Sequence, residues 1–185
     1  MRFTWSLALI AAACTSSNAT APSPDIQVTF SGGYETNVVD GGRPVALVAG
    51  ALGVPPEVFR YAFSLVTPAA AGQEPDPVQV GKNKAALLSV LGPYGITNDR
   101  LDAVSNYYRF NGSAGEVWPR TPAIAKAVVV DGVVTGFIVT QAGSGYSSPP
   151  TVTVSGATNV RAVATLSFGS AFATNGSLVG IAVIK

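Results

Sequence analysis

Apolar and polar positions alternate near both ends of this chain and follow helical spacing in between. Ile26-Gln27-Val28-Thr29-Phe30 puts an apolar side chain at every second position, the period of a strand with one buried face, and Ser31-Gly32-Gly33 ends it. From Val45 the period changes. Apolar residues 45–52 predict a short helix, and Gly53-Val54-Pro55-Pro56-Glu57 restarts the chain with proline at a first helical turn and an early glutamate. Val58, Phe59, Ala62, Phe63 and Val66 then share a face until Thr67-Pro68 stops the helix. Residues 69–80 predict a connection rich in Pro and Gly, and residues 83–91 a helix carrying Leu87, Leu88 and Leu91. After the Gly92-Pro93-Tyr94-Gly95 turn, Thr97 is an N-cap, Asp99 answers the positive helix end, and Leu101, Val104 and Tyr108 form a buried stripe.

The strand period returns in the last third. Val128-Val129-Val130 and residues 133–140 flank Asp131-Gly132, a dipeptide suited to a type I′ hairpin turn because both central residues need positive φ. Thr151-Val152-Thr153-Val154 alternates. So do residues 161–168, with Ala162, Ala164, Leu166 and Phe168 inward and Arg161, Thr165 and Ser167 outward, and residues 177–184 supply a last strand. Asp131-Gly132-Val133-Val134-Thr135-Gly136-Phe137-Ile138-Val139 recurs loosely 44 residues later as Asn175-Gly176-Ser177-Leu178-Val179-Gly180-Ile181-Ala182-Val183, which predicts one β-repeat and the opening of a second. The pattern predicts an α+β protein. Residues 1–21 are a signal-like segment, 22–120 an N-terminal strand plus helices, and 121–185 a small antiparallel β-unit.

Composition narrows the chemistry. With 48% hydrophobic residues, 185 positions suffice for a packed core. A net charge of +1 and only 11% charged residues leave no basic face for a run of phosphates, so nucleic acid is not an expected partner. Histidine is absent, which removes His-based triads and His-containing zinc sites, and one cysteine builds neither a thiolate cage nor an internal disulfide. No metal or cofactor is expected.

That cysteine is Cys14. Arg2, the apolar run 7–13 and the small residues around Cys14 form a secretory signal, too short for a membrane span of about 20 residues. Small residues directly before a cysteine resemble the lipobox of bacterial lipoproteins, which implies a lipidated Cys14 and an envelope destination; Ala11 stands where the lipobox usually carries Leu, Val or Ile. Ordinary cleavage after Ala13, Ala19 or Ala21 is the alternative, giving a secreted or periplasmic chain. Membrane attachment is expected only through such a lipid, and the uncharged Ser, Thr, Asn, Ala and Pro of residues 15–24 form a tether.

Candidate chemistry is sparse. Glu35, Asp40 and Arg43 share a Gly-rich loop, read as pinned by an Arg–carboxylate pair; oxygen ligands for a cation are the alternative, without EF-hand spacing. Asp99 and Asp102 lie three apart on a helix face, where two acids answer the macrodipole more readily than they form a catalytic pair. Tyr107, Tyr108, Glu116 and Trp118 combine rings and polar tips, as in sites for carbohydrate or peptide, and Tyr146 joins them as a candidate ligand contact; the same cluster also suits a seam between helical and β parts.

Gly143-Ser144-Gly145-Tyr146-Ser147-Ser148-Pro149-Pro150-Thr151-Val152-Thr153-Val154 resembles the Gly-Ser-Gly-Tyr β-repeat of bacterial surface proteins and phage tail or virion proteins. The resemblance spans the β-unit and implies a structural, sometimes adhesive role with no catalytic residue. The expected function is an exported, envelope-attached or secreted interaction module, non-catalytic, with cell-envelope or extracellular polysaccharide or protein as partner. Two alternatives stand beside it: a glycan hydrolase using Glu35, Asp40 or Glu116 as acids, and a subunit of a surface assembly whose last strand pairs with a neighbour.

Overall fold

The strand at the head of the chain lies in the middle of the sheet. The computed structural model describes residues 26–68, 76–109, 117–157 and 159–184. β1 (Ile26–Ser31) pairs antiparallel with β2 (Ile124–Val130) on one side and β4 (Thr151–Val154) on the other. With β3 (Val133–Gln141), β5 (Arg161–Ser167) and β6 (Ser177–Ile184), the order is β3-β2-β1-β4-β5-β6, every pair antiparallel. The two ends of that order then meet. β3 lies against β6, and the Leu178 N–H donates to Ala142 O at 2.9 Å, so the sheet curls into a near-closed barrel. Small inward residues permit this: Ala125, Ala127 and Ala164 are buried beside Val28, Val152, Val154 and Leu178.

The two recurring segments are β3 and β6, so both copies belong to one sheet and face each other where it closes. Their turns differ. Asp131 (φ 51°) and Gly132 (φ 78°) make the predicted two-residue hairpin between Val130 and Val133, whereas Asn175 is fully buried and precedes β6 in a loop. Arg161, Thr165 and Ser167 point outward as expected, but Phe168 follows the end of β5 and is 40% exposed.

The helices α1 (Val45–Leu52), α2 (Pro56–Ser64), α3 (Pro77–Leu91) and α4 (Asn98–Tyr107) form a second layer around Leu47, Ala49, Phe59, Ala62, Leu91 and Val104. Pro56 opens α2, and Thr97 Oγ1 accepts the Arg100 N–H at 3.2 Å, both as the sequence indicates. α3 begins earlier than predicted. Asp76 Oδ1 accepts the Val78 N–H and Pro77 occupies the first turn, so the helix extends back through residues the sequence reading assigns to the connection. No described helix is long and apolar enough to cross a membrane.

Candidate functional site

The aromatic cluster joins the two layers. Trp118 is 2% exposed and its Nε1–H donates to Gly145 O at 2.8 Å, while Gly145 N–H donates to Asn175 O and Tyr146 N–H to Gly176 O. Tyr146, equally buried, stacks on Tyr34 with centroids 5.0 Å apart, and its hydroxyl accepts the Ala123 N–H. Asn175 Nδ2 donates to both Leu47 O and the Tyr108 hydroxyl, tying α1 and the end of α4 to the barrel. Tyr107 stacks on Phe172 at 4.2 Å. Of the rings the sequence offers as a ligand platform, Trp118 and Tyr108 are therefore buried in the helical core, Tyr146 in the core of the sheet, and Tyr107 is half-covered. Glu116 and Cys14 lie outside the described residues.

Of the candidate acids, Asp40, Glu35 and Asp102 are committed as well. Asp102 pairs with Lys84 at 2.9 Å, and Asp99 is exposed in the first turn of α4. Asp40 is buried and forms a fork with Arg60 of α2, at 2.8 Å to Nε and 2.9 Å to Nη2; this is the predicted Arg–carboxylate pin, with Arg60 rather than the neighbouring Arg43 as partner. Glu35 accepts from Gly33 N–H at 2.9 Å and from the Ser148 hydroxyl, and the hydroxyl bond chiefly holds its carboxyl below the ordinary value. That direction is opposite to what a general acid needs. Tyr34 goes the other way, pushed up to about 12, first by burial and then by its hydrogen bond with Tyr146. Among the described residues, no group of three His, Cys, Asp or Glu side chains is placed to hold a metal ion.

Among the described residues, open depressions lie between α1 and the loop after β5, between α3 and α4, and in a trough beside the pinned loop, the last of which gathers the most charged side chains. Asn37 caps the 3-10 turn Val38–Asp40 by accepting the Val39 N–H, and the turn holds Val38 and Val39 out at 93% and 79% exposure. Behind them, the Arg43 guanidinium lies 3.8 Å over the Phe63 ring and donates through Nη1 to Asp40 O at 2.9 Å. Three depressions meet at Arg43. One of about 220 Å³ is lined by Val39, Asp40, Val45, Phe59, Arg60, Phe63 and Ser64. A second of about 300 Å³ reaches Glu35, Asn37, Ser147 and Ser148, and a third of about 160 Å³ runs past Val48, Phe59 and Phe63 to Ser105, Tyr108 and Arg109.

Burial lowers the Arg43 pKa, and among the described residues no carboxylate lies within ion-pairing distance of it. The site thus gathers three arginines around an apolar floor, with two carboxylates, Asp40 paired to Arg60 and Glu35 bonded to Gly33 and Ser148. Sequence reasoning placed Arg43 in the loop, Phe63 on the apolar face of the second helix and Arg109 beside the aromatic cluster, but gave no role to Arg60 and did not bring these four together. Arg60, the one basic residue of α2, was the available signal. No protein-family model matches the chain, and comparison with curated proteins and with solved structures found no match either.

Proposed function

We propose that this chain is an exported, non-catalytic interaction module, attached to the cell envelope or secreted, that holds a polymer or protein of the envelope at the Arg43 trough. The observation that carries the reading is a division of labour among charged groups. Both Asp40 oxygens are spent on Arg60, and Glu35 Oε2 on Gly33 and Ser148, whereas half-buried Arg43 feels the Asp40 charge but makes no salt bridge with a described carboxylate. Exposed Val38 and Val39 add an apolar lip of the kind that marks an interaction surface. The signal-like residues around Cys14 support export, and the Gly-Ser-Gly-Tyr resemblance supports a structural or adhesive setting.

Incubation of the purified chain with envelope material tests this. The expected result is saturable retention with no release of soluble sugars or peptides, weakened by Val39→Ser. Soluble product that disappears in Glu35→Gln would replace the proposal with the carboxylate hydrolase, because amide and acid share a shape but only the acid transfers a proton. Failure to be retained would remove the binding role.

A further inference from the structure

We propose that the trough at Arg43 takes a carboxylate joined to an aliphatic group, as a peptide segment presents when a free carboxylate sits beside a Leu- or Val-like side chain. This deepens the binding reading above and names the ligand chemistry. Charge is the first argument. Arg43, Arg60 and Arg109 line the depressions that meet at Arg43, against Asp40, whose two oxygens Arg60 already neutralises, and Glu35 at the far end of the second, so three positive charges face two negative ones. The second argument is preorganisation. Phe63 supports one face of the Arg43 guanidinium and Asp40 O holds one of its N–H groups, which fixes the fork while leaving further donors for a planar carboxylate.

Size supplies the third argument. The depression of about 220 Å³ with Val45 and Phe59 as floor and exposed Val39 as lip has room for an aliphatic side chain beside the Arg43 guanidinium. A glycan is disfavoured at this position. Sugars bind on bare aromatic faces, but of the rings that line the depressions Phe59 and Tyr108 are buried and Arg43 covers a face of Phe63.

Calorimetric titration of the full chain with three short peptides decides it: acetyl-Ala-Ala-Leu with a free carboxylate, the same peptide amidated, and amidated acetyl-Asp-Ala-Leu. A terminal carboxylate source predicts that the free acid binds about tenfold more tightly than its amide, the scale of one charge-assisted contact, and the Asp peptide matches the acid only if a side-chain carboxylate serves equally. Arg43→Gln should erase the preference for acid over amide. Val39→Ser should weaken acid and amide by the same factor. Should Arg43→Gln melt earlier than the wild type, exposed Arg109→Gln and the salt dependence of acid binding carry the test, both expected to reduce it. Equal binding of acid and amide, an acid preference that survives Arg43→Gln in a folded chain, or displacement of the peptide by an oligouronate at lower concentration would overturn the assignment. Absence of peptide binding with envelope retention intact sinks the ligand chemistry alone, whereas loss of both sinks the module reading too.

Discussion

Trp118 shows how burial changes the meaning of a residue. In the sequence it stands among tyrosines, arginines and a glutamate, which suits a ligand platform; in the fold it is 2% exposed with its N–H spent on Gly145 O. Trp118→Ala should therefore cost about 3–5 kcal/mol of stability through the cavity and the unpaired carbonyl, measured by urea denaturation, rather than weaken binding in a folded chain. Nothing in the local sequence could separate these roles, because the bonding partner Gly145 lies 27 residues along the chain. Glu35 gives a pH test. Its carboxyl is held below 4.5, so the charged form favours the folded state; that stabilisation is complete above pH 4.5 and is lost as pH falls through the depressed folded value. The difference in melting temperature between wild type and Glu35→Gln should therefore be small and positive at neutral pH, because the group is exposed, and should vanish on acidification to about pH 2.

Among elements, the hairpin and the short helices were legible because their signals are local. Asp131-Gly132 demands positive φ at two adjacent residues, and Pro56 and Thr97 mark helix starts within one turn. The start of α3 was less legible: its cap, Asp76, precedes exposed Val78 and Val80, which break the expected amphipathic face. The loop bearing Gly-Ser-Gly-Tyr is the joint between layers. Gly145 has φ of 80°, and a Cβ there would stand 2.5 Å from Pro119 O. Gly145→Val should thus destabilise the protein by at least about 1–3 kcal/mol, read as a lower melting temperature, because both the dihedral and the contact are closed to a β-branched residue. An unchanged melt would mean that the joint does not hold the layers as described.

On the scale of the molecule, the α+β class and its order of helices before sheet were readable from periodicity, while the position of β1 was not. Strand pairing over long sequence separations leaves no local trace, so Val28 opposite Val154 could not be inferred from either segment. The consequence is cooperative. A fragment of residues 121–185 lacks the strand that bridges β2 and β4, and it should fail to give the dispersed amide spectrum of a folded sheet unless a peptide of residues 26–31 is supplied. The candidate site shares this dependence: its loop follows β1, Arg60 and Phe63 lie on α2, and Arg109 lies just past the end of α4. The trough exists only in the assembled fold, which is why the sequence showed Arg43 and not its surroundings.

The binding account stands on where a ligand touches. Backbone amide shifts of the labelled full chain, recorded while acetyl-Ala-Ala-Leu acid is added, measure that directly. The account predicts saturable shifts concentrated at Val39, Asp40, Arg43 and Val45 and along α2 from Phe59 to Ser64, with the seam around Trp118 and Tyr146 unmoved. Shifts confined to the outer face of β3 and β6, or none at saturating peptide, would contradict it.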